Sequence, residues 1–165
     1  MELYFLRHGV AVERGTPGYK DDPARPLTPK GRKQLKKISS ALRKMELSFD
    51  VILSSPFLRA KETAEIVAKN LKLGKNVAET DSLKPGGNGK NLCHQLAKLD
   101  AQKILLVGHE PELSRLIALL ISGDDSLAVD FKKSSLCKLD IVKLRHGRCA
   151  TLAWLLTPGQ MKLMR

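Results

Sequence analysis

Short apolar runs, each followed by a stretch with helical periodicity, recur along the chain as far as about residue 121. Leu3–Leu6 reads as a strand, and Thr28-Pro29 then supplies an N-cap and a first-turn proline for a helix whose stripe is Leu35, Ile38, Leu42 and Met45. Val51–Leu53 reads as a second strand, with Ser55-Pro56 opening a helix that carries Ala60, Ala64, Val67 and Leu71 on one face. A weaker strand falls at Val77-Ala78, and a short helix bears Leu92, Leu96 and Leu99. Lys103–Val107 reads as a buried strand that passes through Gly108-His109-Glu110-Pro111 into a helix with Leu113, Leu116, Ile117 and Leu120. Strand and helix alternating in this way predict βα units around a largely parallel sheet.

Beyond Gly123 the period changes to two, over Cys137, Leu139 and Ile141 and again over Leu152, Trp154 and Leu156, with a turn at His146-Gly147 between them. A terminal hairpin is expected there. The stretch Val10–Leu27, rich in glycine, proline and charge, reads as a long loop over the strand ends. With no linker or repeat among its 165 residues, the whole chain, 1–165, is read as one α/β domain.

Composition narrows the classes. Cys93, Cys137 and Cys149 are odd in number and form no CxxC pair, so neither a disulfide framework nor a zinc knuckle is indicated. No HxH or HxxxH spacing joins the four histidines, and neither a metal nor a cofactor is expected. Leu116–Ile121, the longest apolar run, is too short to span a bilayer, and no leader pattern precedes Leu3, so a soluble, cytoplasmic and monomeric protein is expected. The net charge of +12 calls for an anionic partner. Aromatic stacking platforms are scarce, which argues against nucleic acid.

Three strand-to-helix junctions each deliver a residue suited to phosphate: Arg7 and His8 at the first, Arg59 after the second and His109 at the third. Ligands of open α/β sheets bind beyond the carboxyl ends of the strands, so these segments converge. Two arginine forks suit phosphoryl oxygens, and a neutral imidazole beside them suits nucleophilic attack on phosphorus. Gly9 is read as allowing a sharp turn beside the ring. Ser54 and Ser55 lack a GxSxG elbow and read as caps, while Gly86–Lys90 lacks a P-loop pattern and reads as an ordinary loop. His94 and His146 are assigned to a short helix and a hairpin turn.

Arg7-His8-Gly9, Arg25-Pro26-Leu27-Thr28 with Gly31, Ser54–Ala60 with Glu62-Thr63, and Gly108-His109-Glu110-Pro111 together resemble the histidine phosphatase superfamily, and within it the small SixA-type phosphohistidine phosphatases. The resemblance runs from residue 3 to about 121 and implies a phosphoglycerate-mutase-like three-layer α/β/α sandwich with a mostly parallel mixed sheet. It also implies a ping-pong reaction in which His8 is transiently phosphorylated while Arg7, Arg59 and His109 hold the phosphoryl oxygens. Arg25 is expected at the rim, touching phosphate or anchoring the loop. No acidic motif for protonating an alkoxide stands out; Glu13, Glu79, Asp81 and Glu110 are the candidates. This favours an imidazole leaving group, and hence a phosphohistidine-bearing, acidic signalling or phosphotransfer protein as partner, with inorganic phosphate as product. The competing readings are a phosphatase or mutase for a small phosphorylated metabolite, with Glu79 or Glu110 as proton donor, and a non-catalytic phosphate-binding or nucleic-acid-binding module.

Overall fold

The computed structural model describes residues 1–74 and 77–164. Its six strands are β1 (Glu2–Arg7), β2 (Val51–Ser54), β3 (Val77–Glu79), β4 (Lys103–Gly108), β5 (Leu136–Ile141) and β6 (Ala150–Leu156). They form one sheet in the order β3-β2-β4-β1-β5-β6. Pairing is parallel from β3 through β1 and antiparallel at β1–β5 and β5–β6, so the terminal hairpin extends a parallel sheet.

Both faces of the sheet are covered, because alternate residues of the central strands are apolar on both sides. Leu3 and Phe5 of β1, with Ile104 and Leu106 of β4, pack against α3 (Gly89–Leu96) and α4 (Glu112–Ser122). Tyr4, Leu6, Leu105 and Val107 face the other way, onto α1 (Pro29–Lys44), α2 (Leu58–Leu71) and Met161 of α5 (Pro158–Leu163). The result is the expected α/β/α sandwich with a mostly parallel mixed sheet.

Thr28 caps α1 as the sequence indicates, its hydroxyl accepting from the Gly31 N–H at 3.0 Å. Two local features depart from expectation. Helix α2 begins at Leu58 rather than at Pro56, because the Ser55 hydroxyl accepts from the Phe57 N–H in a tight turn and also meets His109. The short α5 carries a Thr157–Gln160 capping box and packs on α1, although its six residues are too few to show a helical stripe. Among the described residues no helix is long and apolar enough to cross a membrane.

Candidate active site

The register of β1 against β4 builds the centre of the site. Arg7 pairs with Gly108, so the next residue on each strand, His8 and His109, emerges from the sheet beside the other. The His8 N–H donates to the Gly108 carbonyl at 3.1 Å, and the two imidazole centroids stand 4.9 Å apart. On the other side of β4, the Ser55 N–H donates to the Val107 carbonyl, which brings the Ser55 hydroxyl within 2.8 Å of His109 Nε2. Arg59, in the first turn of α2, reaches the same point.

His8 has its tautomer set by its neighbours. Nδ1 donates to the Gly9 carbonyl at 2.8 Å, leaving Nε2 unprotonated and facing the Nε–H of Arg59 at 3.3 Å. Its pKa falls to about 3, first because the ring is buried and then because Arg59, Arg7 and Lys133 disfavour a second cation; the Gly9 carbonyl opposes this. A buried, neutral imidazole whose unprotonated Nε2 accepts only a long bond from Arg59 is the form a nucleophile needs.

His109 is also neutral at ordinary pH. Burial is the main cause of its pKa of about 3, with His8 and Arg59 adding to it. Ser55 Oγ and His109 Nε2 share one hydrogen bond, and with the Ser55 hydroxyl as its donor the imidazole proton sits on Nδ1. That Nδ1, like Nε of Arg7, is buried without a protein partner among the described residues. Buried nitrogens of this kind, close to His8, suit the oxygens of an anion. Arg7 is steadied from β1 and from the segment before β5: its Nη1 donates to the Phe131 carbonyl at 2.9 Å, and the Ser134 N–H donates to the Arg7 carbonyl.

Several motif residues hold the frame instead of facing the anion. The Thr63 hydroxyl donates to the Arg59 carbonyl at 2.7 Å and accepts from the Gly9 N–H at 3.1 Å, tying α2 to the His8 junction. Glu62 accepts from the Leu27 N–H at 2.7 Å and pairs with Arg32. Gly9 has no left-handed backbone, so the expected sharp turn is not its role; a Cβ there would stand 2.7 Å from Leu35 Cδ1, and space is what it provides. Gly31 likewise lets α1 approach the Val10 carbonyl.

Arg25 anchors the loop, the second of its two expected roles. Its Nε and Nη2 donate to Asp22 Oδ1 at 2.9 and 2.6 Å, and its Nη1 to the Val12 carbonyl. Asp22 itself carries no signal in the sequence, where it is one charge in a loop without periodicity. It heads a 3₁₀ turn, Asp22–Ala24, and grips Arg59 through both its carbonyl, at 2.8 Å to Nη1, and Oδ2, at 3.0 Å to Nη2. Partial burial would raise its pKa, but the hydrogen bonds and charges of Arg25 and Arg59 prevail and hold it at about 2. Of the expected acid candidates, Glu79 pairs with Lys61 and Asp81 with Lys84, while Glu110 accepts from the Ser114 N–H and its charge reaches Arg7. Among the described residues no group of three or more His, Cys, Asp and Glu side chains is arranged to hold a metal ion.

A buried neutral histidine flanked by two arginines and a second histidine at the strand ends of such a sheet has the chemistry to receive a phosphoryl group, and the chain belongs to the histidine phosphatase superfamily (branch 1), which it matches over residues 3–85. It is a phosphatase by class. An uncharacterized protein of Picosynechococcus sp. is 37% identical over 89% of this chain and 86% of its own length. Phosphohistidine phosphatase SixA of Escherichia coli is 26% identical over 100% of this chain and 99% of its own. The structure of the protein histidine phosphatase SixA complexed with tungstate superposes with a TM-score of 0.82 at 25% identity, covering 96% of this chain and 98% of that one. The fold alone is shared with alpha-ribazole phosphatase of Shigella flexneri, at 23% identity, a TM-score of 0.75 and coverage of 96% and 97%.

Proposed function

We propose that this phosphatase removes the phosphoryl group from a phosphohistidine on an acidic signalling or phosphotransfer protein, through a phospho-His8 intermediate. The observation that carries the reading is the bonding of Asp22, the carboxylate in contact with Arg59: gripped by Arg25 and Arg59, it is held ionised and has no proton to give. An alkoxide leaving group needs a general acid, whereas the imidazole of a phosphohistidine departs with little help. The name of the E. coli relative points the same way.

In the first half-reaction, the Nε2 lone pair of His8 attacks phosphorus while the P–N bond of a donor protonated on its other ring nitrogen breaks, and the bond's electron pair returns to that ring, which leaves as neutral imidazole. Arg7, Arg59 and His109 Nδ1–H bind the equatorial oxygens, where charge must be stabilised. In the second half-reaction, water attacks phospho-His8, the new P–O bond forms, and the P–N pair returns to Nε2. The protein's net charge of +12 assists encounter with an acidic carrier.

The test compares phosphate release from a phosphohistidine protein with release from a panel of phosphomonoesters, sugar phosphates and nucleotides. Faster turnover of the phosphohistidine protein is expected. Faster turnover of any monoester overturns the reading in favour of a small-metabolite phosphatase. Base-quenched trapping with a phosphorylated donor should leave acid-labile phosphate on wild type and none on His8→Ala.

A further inference from the structure

Arg59 has three kinds of nitrogen, and each has a different task. Its side chain is 3% exposed, so its geometry is set by protein partners. Nε points at His8 Nε2, while Nη1 and Nη2 at the outer end are taken by the carbonyl and the carboxylate of a single residue, Asp22. A planar guanidinium bonded at its outer edge through two atoms of one residue is fixed in its plane. The edge formed by Nε and the second N–H of Nη2 faces His8, and a phosphoryl group arriving at His8 Nε2 would take over the Nε–H that His8 now accepts.

Asp22 is itself held from the opposite side. Its Oδ1 receives Arg25 through two nitrogens and Arg14 at 3.1 Å, while Oδ2 is reserved for Arg59. Arg25 is tied in turn to the Val12 carbonyl, and the loop is closed by the Ala11–Leu27 bridge and by Glu62 on α2. Residue 22 is therefore a fixed point from which the guanidinium is aimed.

We propose that Asp22 is a positioning residue for phosphoryl transfer, which clamps the outer edge of Arg59 so that its Nε side presents the phosphoryl group to His8 Nε2. This rests on the roles of His8 and Arg59 given above but not on the identity of the phosphoryl donor. Without the clamp, the outer N–H groups are free to take the anion end-on, so an oxyanion still binds but phosphorus is displaced from the line of attack. Misplacement of this kind costs rate and not affinity.

The experiment measures, in wild type, Asp22→Ala and Asp22→Asn, the single-turnover rate of His8 phosphorylation by a small phosphoramidate donor and, separately, the inhibition constant of inorganic phosphate. Asp22→Ala is expected to slow phosphorylation by about 10- to 100-fold with the phosphate constant unchanged or tighter. Asn offers only one acceptor oxygen where the carboxylate serves three arginines, so Asp22→Asn should fall between Ala and wild type. In an Arg59→Ala background, Asp22→Ala should cause no further loss. A rate within twofold of wild type for both variants overturns the proposal. So does a parallel loss of rate and phosphate affinity, which would mean that Asp22 only holds the loop. Should circular dichroism show Asp22→Ala unfolded, the Asn variant decides by the same two criteria. Absence of phospho-His8 in wild type would instead remove the reading of the site itself.

Discussion

The Nε–H of Arg59 is directed at Nε2 of His8 from 3.3 Å, so a permanent cation stands against the atom that must stay unprotonated. Burial and this charge hold the His8 pKa at about 3, and the acid limb of kcat/KM should lie far below that of an ordinary imidazole. Between pH 7 and pH 5, once the donor's own ionisation is divided out, kcat/KM should change less than about twofold, where a group with a pKa of 6.5 would cost more than about tenfold. A profile breaking near pH 6.5 would show that His8 titrates as an exposed ring.

Stability should depend on pH through the same rings. His8 and His109 have folded pKa values of about 3 against an ordinary 6.5, so between those limits the unfolded chain binds protons that the folded chain refuses. Stability is therefore lost as pH falls below 6.5. From pH 6.5 to 5 the loss is about 2 kcal/mol per ring. Asp22 has the opposite sign: its folded value of about 2 lies below the ordinary 3.8, and the stability it contributes is lost only as pH falls below about 4. Urea midpoints at pH 6.5 and 5.0 should separate clearly in wild type and by about half as much in His8→Ala. Equal midpoints in wild type would mean that the rings are not buried neutral.

The parts of this protein that could be read from its sequence are those in which a local pattern coincides with a tertiary demand. The strands announce themselves because their residues are apolar on both faces, and Arg7, His8 and His109 stand out because polar residues end otherwise apolar runs at strand termini. Thr28 caps by a rule that needs only four residues. Asp22 could not be found in this way, since its partner Arg59 lies 37 residues along the chain and only the folded loop brings them together. The sequence marks Ser55 as a helix cap, whereas its hydroxyl holds a turn ahead of α2 and serves His109, which pairs with it only once β2 lies beside β4. Arg25 shows the limit of motif reading: the motif places it near the site, and only its partners reveal that it anchors the loop.

Removing the Ser55 hydroxyl should test the assignment of the His109 proton. In Ser55→Ala, Nε2 loses the donor that fixes the ring, and the Nδ1–H no longer has a unique tautomer or direction. The rate of His8 phosphorylation should fall roughly tenfold, less than the 10²- to 10³-fold expected of His109→Ala, which removes the donor outright. Because Ser55 acts through His109, the double variant should be no slower than His109→Ala alone, and Ser55→Thr should restore part of the rate. Additive losses in the double variant would mean that Ser55 acts independently of the imidazole.

The glycine after His8 gives a prediction that separates space from backbone freedom. Its φ is not in the left-handed region, so alanine meets no conformational barrier there, but the new methyl would stand 2.7 Å from Leu35 Cδ1 and 3.2 Å from Leu27 Cδ2. Leu35 is fully buried on α1 and cannot swing into solvent. Either the leucine leaves its rotamer or the His8 junction shifts away from α1, straining the Gly9 N–H bond to Thr63. Gly9→Ala should therefore cost about 1–3 kcal/mol of stability in urea unfolding, as overpacking does. Part of that cost should return in Gly9→Ala combined with Leu35→Val, which removes the colliding methyl group. A turn requirement at residue 9 would leave the double variant at least as unstable as the single one, because shortening Leu35 cannot relax a backbone torsion. Rescue by a side-chain deletion on another element is the outcome that steric packing alone explains.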